Sequence, residues 1–226
     1  MKDKFINILK SVGVFLFFFF FPPFFFMLFN VNTETIPDNI YLIYYTASNV
    51  VGLTILCLIY HKTLISDAKS FFKEFGKNME TAFKYWFLGF IVMLISNFII
   101  TFILKLQIAG NEEQVRNFID ISPLLMIFNT VIYAPISEEL VFRKNIKDCV
   151  PSKWLYALTS GFLFSYLHII GYIDSPISFI HIIPYASLGI TFALLYHKTD
   201  NIYSSIMMHG LHNLIATMIY IIGAML

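Results

Sequence analysis

Two adjacent glutamates interrupt one of the most apolar stretches of the chain. Glu138 and Glu139 lie in the segment APISEELVFR, directly after a run without any charged residue from position 123 to 133. An ionisable side chain inside an apolar, membrane-type segment is costly, and it is a functional hypothesis by default. A carboxylate there can act as a general base towards water or as a ligand of a metal ion.

Further polar residues that could take part in a reaction lie in the later apolar segments. His168 ends the segment FSYLH, and His209 and Asn213 frame the segment HGLHN. One glutamate with two histidines is a usual set for zinc with an open position, and it suits activation of water equally well. An asparagine nearby suits stabilisation of an oxyanion. For any one of these residues, the alternative is a polar contact that holds membrane helices together, and His181 and His212 are predicted to be structural.

Helical spacing separates the roles of the two glutamates. A helix turns by about 100° per residue, so residues four apart share a face. Glu139 and Arg143 are four apart, with the glutamate first, which favours an internal ion pair. Glu138 points away from that pair and is predicted to be free for chemistry. The same spacing places Phe164 with His168, and His209 with Asn213.

The composition predicts an all-α integral membrane protein. Of the 226 residues, 58% are hydrophobic and 13% are charged, and the mean hydropathy is +0.74. Soluble domains average roughly 25% charged residues. The net charge of +1 gives no indication of a nucleic-acid partner. Cys57 and Cys149 are predicted to be free thiols. The richness in Phe, Ile, Lys and Asn indicates an AT-rich bacterial genome. The predicted location is therefore a bacterial plasma membrane.

Seven apolar runs are long enough to cross a bilayer, which takes about 20 residues. Pro22 and Pro23 are expected to kink or break the first. The segment 64–83 mixes phenylalanines with lysines and is predicted to be an amphipathic helix on the cytosolic surface, with a polar loop as the alternative. The seven predicted spans are 5–29, 40–60, 82–104, 123–146, 154–171, 177–197 and 202–225.

Basic residues predict the orientation of these spans. With the N-terminus in the cytosol and the C-terminus outside, all but two of the 15 lysines and arginines lie on the cytosolic side. The exceptions are Lys105 and Arg116. At about 1.5 Å per residue, Glu139 and His209 lie roughly 12 Å from the cytosolic end, which predicts a pocket reached from the cytosol. His168 lies roughly 21 Å along its span, so its depth does not match.

Three motifs, in order, carry a resemblance to a known family. EELVFR resembles the EExxxR motif of the CAAX-processing and bacteriocin-processing (CPBP, or ABI) intramembrane endopeptidases. FSYLH resembles their FxxxH motif, and HGLHN resembles their HxxxN motif. The resemblance covers residues from about 123 to 216. It implies an intramembrane helical bundle, with residues 1–122 as N-terminal membrane helices and residues 123–226 as the catalytic bundle, whose last four helices build the site.

The resemblance also implies roles for single residues. Glu138 would activate the water, helped by His168. His209 and Asn213 would stabilise the oxyanion, or His209 would help to bind a metal. A zinc ion held by Glu138, His168 and His209 is the metal alternative, beside a metal-free glutamate protease. Glu139, Arg143 and Phe164 would support the site.

We therefore expect an intramembrane endopeptidase that cleaves a peptide bond near the cytosolic face. Its partners would be the bilayer and a peptide or membrane-protein substrate, in peptide maturation or self-immunity against a bacteriocin. The alternative is a non-catalytic immunity or regulatory protein that binds a peptide or protein partner. A transporter is disfavoured because the first three spans lack lining polar residues. No pattern predicts an oligomeric state.

Overall fold

A computed structural model describes residues 2–226, with side chains from Phe5 onwards. The side chains of Lys2 and Lys4, which enter the predicted charge asymmetry, lie outside the described residues. The described chain is 87% helical and has no strand. Seven of its helices are long and apolar enough to cross a membrane, which confirms the predicted class of multi-pass integral membrane protein.

Nine helices follow one another along the described chain. Two of them, α3 and α5, are short and amphipathic, and the other seven are the candidate spans. The bounds are α1 Lys2–Leu28, α2 Asp38–Ile59, α3 His61–Lys73, α4 Phe75–Ile103, α5 Gly110–Ile121, α6 Pro123–Lys147, α7 Lys153–Tyr172, α8 Pro176–Thr199 and α9 Ile202–Met225.

The alternating direction of the long helices gives the bundle two ends. The connections before and after α3, between α6 and α7, and between α8 and α9 lie at one end, together with most lysines; we call it the basic end. The short helix α5 lies at the other, the α5 end. Asn201 and Asp67 tie α9 to α3 at the basic end: Asp67 Oδ2 accepts from the Ile202 amide at 2.9 Å, and Asn201 Nδ2 donates to the Asp67 carbonyl at 2.8 Å.

Three details differ from the sequence prediction. The segment 64–83 is not one helix, because α3 ends at Lys73 and α4 begins at Phe75, seven residues before the predicted span. The helix α5 was not predicted, since its 12 residues are too polar for a span. Pro22 and Pro23 do not break α1, which continues to Leu28. Membrane helices tolerate proline because neighbouring groups satisfy the freed backbone.

The helix α6 is not a regular α-helix. It contains two π-helical segments, Phe128–Tyr133 and Glu139–Lys144, around the α-helical segment Ala134–Glu138. Pro135 has no N–H to donate to the carbonyl four residues earlier, and wider turns accommodate such a loss. The boundary between an α-helical and a π-helical segment falls between Glu138 and Glu139. The π-helical form of α6 is therefore local to the candidate site.

Small residues bring α8 close to its neighbours α7 and α4. A Cβ atom on Gly161 of α7 would lie 2.9 Å from the backbone nitrogen of Ile190, and one on Gly89 of α4 would lie 3.0 Å from the Ser187 carbonyl oxygen. Such approach of backbones is typical of membrane helix packing, where water does not drive association. These crossings fix the position of α7, which carries His168.

We expect Gly161→Ala to destabilise the protein by about 1–3 kcal/mol, because the new methyl group meets backbone that cannot yield. Gly13→Ala is the matched control, since nothing lies within 4 Å of its Cβ position. There the better helix propensity of alanine should be neutral or stabilising. Thermal unfolding of both purified variants in the same detergent measures the difference. Equal melting temperatures would contradict this packing.

Candidate active site

A cavity of about 810 Å³ lies inside the bundle. The candidate residues Glu138, His168, His209 and Asn213 all line it. They come from α6, α7 and α9, as predicted from the sequence. The helices α1, α2, α4, α5 and α8 complete its walls, so the N-terminal half contributes to the enclosure but not to this set of residues.

Glu139 is the centre of a buried charge cluster. Its side chain is 0% exposed, as is that of Arg143, whose Nε lies 3.2 Å from Glu139 Oε2. The Nε–H bond does not point at that oxygen, so the contact is an ion pair rather than a directed hydrogen bond. Arg143 Nη1 also donates to Ser160 Oγ at 3.2 Å, and the guanidinium lies 4.7 Å from the Phe164 ring centroid. The predicted pairing of Glu139 with Arg143 is present.

The second oxygen of Glu139 holds His209. Glu139 Oε1 lies 2.9 Å from His209 Nδ1, and because a carboxylate only accepts, the imidazole donates from Nδ1. His209 Nε2 is left facing Glu138 Oε2 at 3.7 Å, which is longer than a hydrogen bond. The Phe192 ring stacks on the imidazole, with 5.4 Å between centroids. Glu139 therefore fixes both the orientation and the tautomer of His209.

Glu138 differs from Glu139 in its surroundings. Its side chain is 15% exposed and lines the cavity, whereas Glu139 lies beneath the cavity wall. Among the described residues, no lysine or arginine lies within ion-pair distance of Glu138. The sequence-based division of the two glutamates, with one paired and one free, is thus present in the geometry.

His168 has the same tautomer as His209. Its Nδ1 lies 2.7 Å from the Phe164 carbonyl oxygen, which can only accept, so Nδ1 carries the proton. In the neutral ring Nε2 is then a free acceptor. The ring lies between Phe164 and Tyr185, with centroids 4.3 and 4.8 Å away. His168 is thereby held as a base whose reactive nitrogen is not used by the backbone.

Asn213 is partly committed to helix packing. Its Nδ2 donates to the Thr130 carbonyl at 2.8 Å, which ties α9 to the first π-helical segment of α6. One amide hydrogen and the carbonyl oxygen remain for other partners. Asn213 can thus position α9 and still offer one donor to the cavity.

The side chains as placed do not form a metal centre. Within residues 2–226, no three His, Cys, Asp or Glu side chains converge closely enough to hold an ion. The Phe164 ring packs against two of the predicted ligands, 4.3 Å from the His168 imidazole and 6.0 Å from the His209 imidazole. We therefore derive no step through zinc, and a zinc site at Glu138, His168 and His209 stays a prediction.

The depth offset of His168 predicted from the sequence has a structural counterpart. His168 stacks on Phe164 one helical turn beyond it, towards the α5 end, while the Phe164 ring contacts His209 from the same side. The cavity is tall enough to include both levels. The candidate residues thus line one cavity; His168 lies 15 residues from the start of α7, whereas His209 lies seven from the start of α9, near the floor with Glu138.

Some cavity residues were not singled out as functional. Asn49 Nδ2 donates to Asn129 Oδ1 at 2.9 Å, and Asn129 Nδ2 donates to Thr46 at 2.7 Å, which joins α2 to α6. Trp86 Nε1 donates to His212 Nδ1 at 3.3 Å, so His212 joins α4 to α9, in keeping with a structural role. Asn49 was visible as a polar exception in the sequence, but nothing there paired it with Asn129.

The cavity extends in one direction along the bundle. Its lining includes Asn111, Glu112 and Arg116 of α5. Of the described residues, none of α3 and none of the connection 148–152 lines it. The cavity thus extends from its floor towards the α5 end, away from the lysine-rich end.

Comparisons with known proteins bear on this arrangement. Residues 120–215 match the family model described as type II CAAX prenyl endopeptidase Rce1-like. This segment includes the three motifs and the residues around the floor of the cavity. The chain is thus similar to this family of membrane endopeptidases over the segment that carries the three motifs. This similarity supports a membrane protease as the general class.

Individual relatives of the chain are bacterial. UPF0177 protein YbdI of Lactococcus lactis subsp. lactis (strain IL1403) is 25% identical over 181 residues, which cover 76% of this chain and 94% of the relative. UPF0177 protein YxdF of the same strain is 28% identical, with coverages of 71% and 88%. "Putative membrane peptidase YdiL" of Bacillus subtilis (strain 168) is 29% identical, with coverages of 46% and 41%. No solved structure matches the chain.

We expect Glu139→Gln to destabilise the protein by about 3–5 kcal/mol, because it leaves Arg143 as a buried charge without its partner. Glu138→Gln is the matched control: it is the same change one residue earlier, at a side chain without a basic ion-pair partner among the described residues. It should unfold close to the wild-type temperature. Thermal unfolding in detergent compares the two. A stable but inactive Glu139→Gln protein would contradict this division.

Proposed function

We propose that this protein is a CPBP-type intramembrane endopeptidase in which Glu138 activates the attacking water. The observation that carries the proposal is the contrast between the glutamates: Glu139 is buried and paired, whereas Glu138 lines the cavity without a basic partner. A general base must reach the proton that it removes, and Glu138 is the carboxylate of the motif with that access.

The proposed reaction is hydrolysis of a peptide bond. Glu138 takes a proton from water while the water oxygen attacks the carbonyl carbon, and the carbonyl oxygen becomes an oxyanion. The same proton then passes from Glu138 to the leaving nitrogen as the carbon–nitrogen bond breaks, so the carboxylate is regenerated. His168, with Nε2 as a free acceptor, orients the water or the leaving group higher in the cavity.

Two residues are proposed to stabilise the oxyanion. Asn213 offers the amide hydrogen that Thr130 does not use. His209 gives its Nδ1 proton to Glu139, so it can donate into the cavity only as an imidazolium with a second proton on Nε2. Glu139 and Arg143 are proposed to act by positioning His209, and Phe164 by packing against both imidazoles.

We further propose that the substrate is a peptide or membrane-protein segment handled in peptide maturation or in self-immunity against a bacteriocin. The floor of the cavity supports cleavage in the half of the membrane near the basic end, because His209 lies seven residues, or roughly 10 Å, from the start of α9. The basic end is the predicted cytosolic end. A non-catalytic protein that binds a peptide partner remains the competing function.

We expect Glu138→Gln to lower peptide hydrolysis by about 10²–10⁴-fold, the usual contribution of a general base. Asn213→Ala should lower it by about 10²–10³-fold, as for loss of one oxyanion donor. Proteoliposomes with each variant are incubated with a library of apolar fluorogenic peptides, and products are identified by mass spectrometry. Glu113→Gln, an exposed carboxylate of α5 outside the cavity lining, is the control.

The same variants separate catalysis from binding. If the wild-type protein cleaves a peptide and the Glu138→Gln variant cleaves it at the same rate, Glu138 is not the base. If cells that carry Glu138→Gln keep protection against a toxic peptide that wild type also blocks, the protein acts by binding its partner.

A separate measurement concerns the metal. We expect the purified protein to keep its activity after dialysis against a chelator, because no three possible ligands converge among the described residues. Metal content is measured by mass spectrometry in wild type, His168→Ala and His209→Ala. One zinc per chain that disappears in both variants would instead establish the metal site.

A further inference from the structure

The side of the membrane from which the cavity is entered can be argued from its walls. The floor lies near Glu138 and His209, and below it the buried residues Leu140, Val141 and Phe142 close the bundle towards the basic end. Above the floor, the lining continues to the α5 end. A substrate cannot reach the floor from the basic end without passing this fully packed layer.

The upper wall has an opening between the α5-end halves of α4 and α9. Trp86 and Phe90 of α4 pack against His212 of α9, so the two helices touch near the floor. Nearer the α5 end, exposed residues on both helices line the cavity and also face outwards: Leu94, Asn97 and Thr101 on α4, and Ile215, Ala216 and Ile219 on α9. We call this gap between the two helices the window.

The residues of the window indicate the chemistry of what passes through it. Leu94, Ile215 and Ile219 suit an apolar occupant that is dissolved in lipid. Asn97 and Thr101 are polar and exposed on a membrane-spanning helix, where polar groups usually mark a path rather than contact lipid. An extended peptide needs such partners, because its N–H and C=O groups are unsatisfied in hydrocarbon.

The helix α5 forms a polar roof beside the window. Asn111 Nδ2 donates to Tyr185 at 3.5 Å, and Tyr220 donates to Asp120 Oδ2 at 2.9 Å, so α5 is held by α8 and α9. Glu112 and Arg116 line the cavity and pair with each other at 2.9 Å. The mouth thus has one polar, water-facing edge and one apolar, lipid-facing edge, as expected for entry at the membrane interface.

The charge distribution assigns this mouth to a side of the membrane. Among the residues whose side chains are described, only Lys105 and Arg116 lie at the α5 end, whereas the other lysines and arginines lie towards the basic end. By the positive-inside rule, the basic end is cytoplasmic and the α5 end is not. The direction of the cavity and the direction of the charge are independent observations, and together they place the mouth away from the cytoplasm.

We propose that the substrate is an extended, apolar peptide segment that enters from the non-cytoplasmic leaflet, through the window and beneath α5. This proposal rests on the proposed proteolytic function for the fate of the peptide, but not for the route. The peptide is then hydrolysed near the cytoplasmic end of the cavity, although it enters the cavity from the opposite side.

Cysteine accessibility tests the route without any need for proteolysis. The background carries Cys57→Ser and Cys149→Ser, and single cysteines are then introduced. Ala134→Cys reports on the cavity, Asn117→Cys on the exposed surface of α5, and Lys73→Cys on the exposed surface of α3. Intact cells and permeabilised cells are treated with a small, charged, membrane-impermeant methanethiosulfonate reagent. Thr130→Cys, on the same cavity wall, repeats the measurement if Ala134→Cys folds poorly.

We expect the reagent to label Asn117→Cys and Ala134→Cys in intact cells and Lys73→Cys only after permeabilisation. Labelling of Lys73→Cys in intact cells would overturn the orientation. Labelling of Ala134→Cys only after permeabilisation, or under neither condition, would overturn entry from the non-cytoplasmic side.

A second variant tests the window itself. Ala216→Trp fills the window, so it should abolish or strongly slow labelling of Ala134→Cys. Leu214→Trp is the matched control, because Leu214 is an exposed neighbour on α9 that does not line the cavity. Equal labelling rates in the two variants would show that the window is not the route. Both results are independent of whether any peptide is cleaved, so failure of the route and failure of the proteolytic function are distinguishable.

Discussion

The site depends on one buried charge cluster in a lipid-embedded helix. Glu139, with no exposed surface, lies between the Arg143 guanidinium and the His209 imidazole. Ions in such an environment are costly unless they are paired and hydrogen-bonded. The pairing joins α6 to α9, and it also commits the Nδ1 proton of His209. The contact that compensates for burial of these charges therefore also determines that Nε2 of His209 faces the cavity.

The irregular helix α6 makes it possible for neighbouring glutamates to have opposite surroundings. The α-helical segment ends at Glu138 and the π-helical segment begins at Glu139. Close approach of α9 stabilises this arrangement, since a Cβ on Gly210 would lie 3.1 Å from the Val131 carbonyl oxygen. Pro135 cannot donate to that carbonyl, so the departure from regular geometry and the close helix crossing occur at the same place. Such π-helical turns are frequent at functional sites.

The sequence was sufficient for the spans and for contacts within one helix. Long apolar runs are unambiguous, and the Glu139–Arg143 pair follows from helical spacing alone. Contacts between helices could not be predicted from the sequence. Neither the Asn49–Asn129 hydrogen bond nor the packing of Phe164 against two histidines follows from periodicity. The helix α5 was missed because it is short and polar. The direction in which the cavity extends could not be predicted, because depth along single helices does not reveal which end of the bundle is packed shut.

The vertical arrangement of the polar residues has a consequence for mechanism. His168 lies 15 residues along α7 and His209 seven residues along α9, and both imidazoles pack against Phe164, so both can face one extended chain. A peptide that descends from the α5 end would meet Asn97 and Thr101 first, His168 next, and Glu138 with His209 last. Each polar group would then satisfy part of a backbone that lipid cannot solvate. The cavity therefore suits a substrate that is unfolded before cleavage, because a membrane helix satisfies its own backbone and would gain nothing from these polar groups.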